Sequence, residues 1–310
     1  MEKTKKISEH EIQNIPEELK KIVMDALPDL LPALKGRIVQ SEQDYIRELK
    51  DPPDSFLWEH TLQVAAAARQ ISLAERKDPL APVLAALFHD AGKFTASGYH
   101  RDDIPEEIKA ADIAEELLKK AGLKESLLRE VIKGIKALYN EKAARSKTAD
   151  IVHDADFLVK SGCMGVAAFF IKETLRGNSL FHALSRSLSK ELTYAVALPE
   201  NMRTRTGEIL AENKKERSLT FFSDLIRELK DHGIARFEIR QIKFPCPWNP
   251  EKFLNIHLAV HEFCPECGAN WAIDLDQSRG VKCEKLIAVI QCQNCRWKEK
   301  IAFCLPEIGK

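Results

Sequence analysis

The spacing of hydrophobic residues divides the chain into a long helical part and a short C-terminal part. From about residue 16 to 230, apolar residues recur at intervals of three and four, and glycines and prolines fall mostly between the segments so defined. After about Ala235 the pattern alternates instead, in stretches such as RFEIRQIKF and NWAIDLD. The pattern therefore predicts an all-α helical bundle over residues 1–235 and a small β-rich domain over residues 236–310.

Approximate helix bounds follow from the same periodicity and from its breakers. We predict helices over about 56–74, 80–89, 105–121 and 125–139, and a long one that begins near Thr148. The segment LAPVLAALF is apolar on every side, which predicts a helix buried nearly all round. Near the N-terminus, we expect Pro28, Pro32, Pro52 and Pro53 to break the chain into short pieces.

Composition limits the classes of function. The 47 basic and 47 acidic residues balance, so no overall charge marks nucleic acid or an anionic membrane as a partner. The N-terminus is polar, and no apolar run reaches the roughly eighteen residues that a membrane span needs. We therefore expect a cytoplasmic protein; its oligomeric state stays open, with an oligomer among the alternatives.

Histidine and aspartate residues fall on inward faces of three predicted helices. His60 lies on the apolar stripe of its helix, and His89 and Asp90 end the very apolar one. Asp156 is in line with Val152 and Val159, so we expect its carboxylate to point inward. A lone histidine on such a face is usually a hydrogen-bonded core residue. Four metal-competent groups, whose burial unpaired costs several kcal/mol each, point instead to a shared ligand.

Asp154, His100 and His153 lie near the predicted ligands in the sequence but are not assigned to the metal site. Asp154 shares a face with Asp150 and Ser161, which predicts a solvated carboxylate. Between Asp90 and Asp156 the additional histidines are His100 and His153, and His153 faces away from the Asp156 line, so we prefer one metal ion over two.

The chemistry of these donors favours a hard or borderline divalent cation. Nitrogen and oxygen ligands with open positions suit Mn, Mg, Fe(II) or Co, and leave room for water and a phosphate oxygen. Asp90 and Lys93 are the candidate catalytic residues, with Lys93 three positions after Asp90 and able to reach a phosphate as a point charge. The alternative for Lys93 is a solvated side chain beyond a helix end.

The segments WEHTLQVA, ALFHDAGKF and IVHDADFL, in this order on helices, resemble the HD-domain metal-dependent phosphohydrolases. The resemblance implies that His60, His89, Asp90 and Asp156, all within 56–170, are metal ligands. A narrower resemblance, to the stand-alone bacterial HD hydrolases, runs from about Phe56 to Lys230 and includes MRTRTGEILAE. Some of those enzymes cleave nucleoside triphosphates. Here Phe157 replaces an arginine and Val159 an aspartate of that group, so the resemblance does not extend to these two positions.

Seven of the 8 cysteines lie beyond residue 245, and four of them form two Cys-x-x-Cys pairs. Without an export signal, this clustering favours metal over disulfides. Cys264, Cys267, Cys292 and Cys295 have the spacing of a tetrahedral zinc site that is closed and therefore structural. We predict a zinc ribbon, with Gly268 in the tight turn after the first pair.

These patterns favour a metal-dependent phosphohydrolase that acts on a phosphate ester or anhydride, for example that of a nucleotide. The alternative is a non-catalytic HD protein that binds a nucleotide or a partner and uses its zinc ribbon for protein or nucleic-acid contact. Residues 236–310 carry 11 basic and 9 acidic residues, which argues against nucleic acid. The expected partner is a small phosphorylated molecule, with no membrane.

Overall fold

The computed structural model describes residues 17–46, 56–95, 98–99, 104–138, 146–233, 236–246, 249–274 and 285–304. It is mostly helical, with small antiparallel sheets towards the C-terminus, which confirms the predicted fold class. The helices are α1 (Glu17–Ala26), α2 (Leu30–Ile46), α3 (Phe56–Ala74), α4 (Leu80–Phe88), α5 (Glu106–Lys120), α6 (Glu125–Lys136), α7 (Lys147–Val159), α8 (Gly162–Leu175), α9 (Leu180–His182), α10 (Leu188–Asn201) and α11 (Arg205–Asp231). The strands are β1 (Phe94–Thr95), β2 (Gly98–Tyr99), β3 (Phe237–Cys246), β4 (Asn249–His261), β5 (Trp271–Asp274), β6 (Lys285–Cys292) and β7 (Lys298–Cys304).

The chain divides into two compact units. The first, here called the helical unit, comprises the described residues of Met1–Val159 together with Arg203–Gly207. The second, the mixed unit, comprises those of Lys160–Met202 and Glu208–Lys310. The predicted boundary at residue 235 falls inside the mixed unit, and as a statement about domains it stays a prediction.

In the helical unit, α3 packs against α4 and α7, and these three helices carry the predicted His and Asp residues. Every residue of α4 from Ala81 to Phe88 is buried, as its apolar sequence predicts. Two expectations were wrong. Pro32 lies within the first turn of α2, where a missing N–H costs nothing, so it does not break that helix. The short β1–β2 pair lies in a region where the pattern predicts no strand.

The mixed unit contains a β3–β4 hairpin and a three-stranded meander in the order β5–β6–β7. Residues of β4 to β7 form one apolar core, which consists of Ile256, Leu258, Val260, Trp271, Ala288, Ile290 and Ile301. Helix α10 covers β4: Ser189 Oγ accepts from Ala259 N at 2.9 Å, and Thr193 Oγ1 accepts from His257 N at 3.1 Å. These hydroxyls satisfy strand N–H groups that would otherwise stay unpaired.

None of the described helices combines the length and the apolar composition that a membrane span requires.

Candidate metal centre

The structure brings His60, His89 and Asp156 together from three helices. His60 lies on α3, His89 is the C-cap of α4, and Asp156 lies on α7. One ligand atom from each lies within 4.8 Å of the others. His60 Nε2 is 3.2 Å from Asp156 Oδ1, and His89 Nε2 is 3.7 Å from the same oxygen. Ligands at about 2.0–2.2 Å from one metal ion lie about 3 Å from their neighbours, so this spacing suits a shared cation.

The environment of His89 supports the fit most directly. Its ring is fully buried, and Nδ1 lies 2.7 Å from the carbonyl oxygen of Ala86. When Nδ1–H donates to that carbonyl, Nε2 carries the lone pair. Within the part of the chain that the structure describes, this buried Nε2 has no hydrogen-bond partner. A buried nitrogen aimed at two carboxylates without a partner costs free energy unless a ligand occupies the space between them.

Asp90 lies at the edge of the cluster. Its Oδ2 is 3.5 Å from His89 Nε2, 3.7 Å from His60 Nε2 and 2.8 Å from Lys93 Nζ. Burial alone would raise the pKa of Asp90, but the charges of His89 and Lys93 hold it well below its usual range. The carboxylate is therefore ionised at neutral pH and available to a cation.

The two histidines respond differently to this environment. Burial lowers the pKa of His60, although the carboxylates of Asp156 and Asp90 act in the opposite direction. Burial would also lower the pKa of His89, but there the charges of Asp90 and Asp156 prevail and raise it. His60 is thus a neutral donor over a wider pH range than His89.

Exposure shows the side from which a substrate can approach. The side chains of His89 and Asp156 are 0% exposed, whereas those of His60 and Lys93 are 11% and 24% exposed. Gly92, between Asp90 and Lys93, lies tightly against α5: a Cβ there would be 2.7 Å from both Ala110 N and Glu106 O. The glycine allows the segment that carries both charged residues to approach α5.

Residues 57–159 match the family model of the HD domain. This part of the chain is therefore similar to HD domains, over less than half of the chain. HD domains bind divalent metals, and the match supports a metal-dependent hydrolase activity in general terms. The sequence has no significant match among curated proteins.

Several solved structures are similar to this chain. A predicted HD superfamily hydrolase from an uncultured Thermotogales bacterium is 22% identical, with 72% of this chain and 99% of that chain covered and a TM-score of 0.46. Bacillus subtilis YpgQ in complex with ADP is 23% identical, with 64% and 95% covered and a TM-score of 0.46. An HD-superfamily hydrolase from Bacillus thuringiensis is 18% identical, with 64% and 98% covered and a TM-score of 0.46.

One expectation about the HD domain was wrong. Asp154 is not solvated but 0% exposed, and it accepts hydrogen bonds from Arg203 N at 2.9 Å and from Thr204 N and Oγ1, both at 2.7 Å. His153 is also buried, with Nδ1 3.0 Å from Asp154 Oδ1. The error arose because α7 is buried on nearly all sides, so helical periodicity does not distinguish its faces.

The two residues that depart from the resembled group, Phe157 and Val159, both make packing contacts. The ring of Phe157 stacks on that of His153, with centroids 4.4 Å apart, and Val159 is buried. His100 lies outside the described residues. The structure therefore adds no histidine to the cluster of His60, His89 and Asp156 among the residues that it describes.

The predicted cysteines also lie together. Ligand atoms of Cys264, Cys267, Cys292 and Cys295 all lie within 4.8 Å of one another, and all four thiols are free. Cys264 Sγ is 3.6 Å from Cys295 Sγ, and Cys267 Sγ is 3.6 Å from Cys292 Sγ. A tetrahedral site with Zn–S distances of about 2.3 Å places its sulfurs about 3.8 Å apart. The arrangement is therefore compatible with a zinc ribbon.

Backbone groups around Cys292 favour its thiolate form. Asn294 N and Cys295 N donate to Cys292 Sγ at 3.3 and 3.4 Å, and these bonds lower the pKa of Cys292 to about 6. Gly268 has φ +71, which confirms the predicted tight turn.

Proposed function

We propose that the protein is a metal-dependent phosphohydrolase in which His60, His89, Asp90 and Asp156 hold one divalent cation, Mn, Mg, Fe or Co. The observation that carries this proposal is the convergence of buried donors from α3, α4 and α7, with His89 Nε2 lacking a hydrogen-bond partner among the described residues. A structural zinc at the four cysteines is part of the same proposal.

The surroundings of each residue indicate its role in the proposed reaction. The Ala86 carbonyl fixes the orientation of the His89 ring, and full burial of Asp156 holds its carboxylate in one place. A divalent cation in such a site lowers the pKa of water and polarises a phosphoryl oxygen. Lys93, 24% exposed and 2.8 Å from Asp90 Oδ2, lies where its ammonium group can attract a substrate phosphate.

The substrate class that we propose is a phosphate ester or anhydride, with nucleotides as the first compounds to test. Two features support it. The HD-domain match extends over all four proposed ligands, and Lys93, which is 24% exposed at the edge of the cluster, offers a positive charge to an anionic group.

The experiment compares the wild-type full-length chain with Asp156→Ala and with Asp112→Ala, which removes an exposed carboxylate from α5. Metal content is measured after purification without chelator. Phosphate release is then measured with nucleoside mono-, di- and triphosphates and simple esters, each with Mn, Mg, Fe(II) and Co. We expect Asp156→Ala to keep zinc, lose the second metal and fall to background hydrolysis, because a first ligand is gone.

Asp112→Ala should match the wild type in both measurements. Wild-type hydrolysis by Asp156→Ala would contradict the proposal. If the wild-type chain binds metal and a nucleotide but releases no phosphate with any of the four metals, the non-catalytic alternative is correct.

A further inference from the structure

A cleft in the mixed unit adjoins the cysteine cluster and shares no residue with the His and Asp cluster. Its volume is about 610 Å³, and its walls include Phe181, Phe237, His261, Trp297, Lys298 and Lys300. Sites for small molecules typically measure about 300–1,000 Å³. Pro265, between two of the cysteines, also lines the cleft. The cleft is therefore large enough for a ligand of the size of one or two nucleotides.

Aromatic rings form one part of its lining. The rings of Phe237 and His261 lie 4.6 Å apart at 31°, and those of His261 and Trp297 lie 6.4 Å apart at 77°. Trp297 N donates to Cys295 Sγ at 3.4 Å, so the cysteine cluster holds this residue in place. Phe181 is 43% exposed at the cleft, although a phenylalanine ring gains free energy by burial. The cleft lining thus contains both an accessible ring and a fixed aromatic group.

Positively charged side chains form another part of the cleft lining. Lys298 and Lys300 are two residues apart on β7 and share one face of the strand. Both are exposed, and the cleft lining contains one carboxylate, Glu299, among its described residues. The balance of 11 basic and 9 acidic residues over 236–310 hides this local arrangement. Two ammonium groups beside accessible rings favour a ligand that is anionic and aromatic at once.

We propose that this cleft binds a nucleotidyl unit, with the base against Phe181 and the His261–Trp297 pair and the phosphate beside Lys298 and Lys300. A free nucleotide and a nucleotide within a single strand of nucleic acid present the same two groups. An acidic peptide would engage the lysines but offer no flat ring to the aromatic wall.

The test uses the zinc-loaded full-length chain without added divalent cation, so that the His and Asp cluster contributes no metal-dependent binding. The same measurement is repeated with Asp156→Ala. Fluorescence anisotropy measures binding of labelled single-stranded DNA and RNA of about ten nucleotides. Competition by unlabelled AMP and ATP distinguishes the two sources of the ligand. The variants are Phe181→Ala and the double change Lys298→Glu with Lys300→Glu; all three positions tolerate substitution because they are exposed.

We expect Phe181→Ala to weaken binding about tenfold, as loss of one stacking contact does. The double lysine change should reduce the dependence of log affinity on log salt between about 50 and 200 mM by about 1.4, which corresponds to two phosphate contacts on a single strand. Phe253→Ala, at a more exposed ring on β4, and Lys190→Glu on α10 are control variants at positions that do not line the cleft. Both should bind as the wild type does.

Competition by AMP or ATP would identify a free nucleotide as the ligand, and its absence would identify single-stranded nucleic acid. No binding by the wild type, or equal binding by the cleft variants and the controls, would overturn the proposal. So would tighter binding of an acidic or phosphorylated peptide than of either nucleotide source.

Discussion

Asp154 anchors the segment Arg203–Gly207 to α7, and its removal is the most specific test of the structure. Arg203 N donates to both carboxylate oxygens at 2.9 and 3.1 Å, and Thr204 donates twice to Oδ2 at 2.7 Å. Thr204 Oγ1 also accepts from Gly207 N at 2.9 Å, so Thr204 is the N-cap of α11. One carboxylate thus holds a helix N-terminus, where negative charge is favourable.

The expected loss of stability for Asp154→Ala is large. A hydrogen bond to a charged group contributes about 1.5–3 kcal/mol, and an orphaned buried donor costs about 1–3 kcal/mol. These losses overlap, so we expect about 3–5 kcal/mol in the free energy of unfolding, towards the upper end of single substitutions. Since 1 kcal/mol shifts Tm by about 2–4 °C in a chain of 150–250 residues, Tm should fall by about 10 °C.

Thermal and urea unfolding, followed by circular dichroism, measure this loss. Asp112→Ala, which removes an exposed carboxylate from another helix of the same unit, should leave Tm unchanged. Gly207→Ala is an independent perturbation of the same contact, because its Cβ would collide with Asp154 Oδ2 and lie 2.9 Å from Thr204 Oγ1. A Tm for Asp154→Ala within about 2 °C of wild type would refute the reasoning.

Three further predictions concern the metal sites. Affinity for Mn should increase between about pH 6 and 8, because metal binding requires neutral imidazole while the pKa of His89 is raised above 6.5. Calorimetry in two buffers should detect proton release on binding, and an affinity for Mn that stays constant over this pH range would contradict the prediction. Gly92→Ala should lower the free energy of unfolding by about 1–3 kcal/mol and weaken metal binding, because its Cβ would meet backbone atoms of α5. Gly36→Ala, whose Cβ would have nothing within 4 Å, should change neither quantity. Urea unfolding measures the stability of each variant, and metal titration measures its affinity for metal. Removing zinc with a chelator should shift the fluorescence of the buried Trp271 to the red, and finding no zinc in chelator-free protein would be inconsistent with the ribbon.

The sequence predicts the members of both metal clusters because each is marked locally. His89 and Asp90 end an otherwise apolar helix, and the cysteines occur in two pairs with a fixed spacing. The structure places His60 and Asp156 beside His89, and the four sulfurs beside one another, as these patterns indicate. Whether the clusters bind metal stays a prediction.

The role of Asp154 was not predictable from its own helix. Its partners are 49 and 50 residues away in the chain, and α7 buries residues on both sides of the predicted inward line. The glycine in MRTRTGEILAE is the sequence signal closest to it, since a close approach of the backbone to a carboxylate excludes a Cβ. Such a signal identifies a tight contact without identifying the partner.

The chain passes between the helical unit and the mixed unit more than once, which limits what a truncation experiment can show. Apolar residues of α8, α10 and α11 share one buried cluster with Phe237 and Ala259, so a chain that ends at residue 235 would lose part of that core. A chain that ends at Val159 would instead lose Arg203 and Thr204, the hydrogen-bond donors to Asp154. Because Arg203–Gly207 belongs to the helical unit while the segments on both sides belong to the mixed unit, no single cut separates them. Point substitutions at the cysteines, rather than truncation, are therefore the appropriate test of whether the ribbon contributes to hydrolysis.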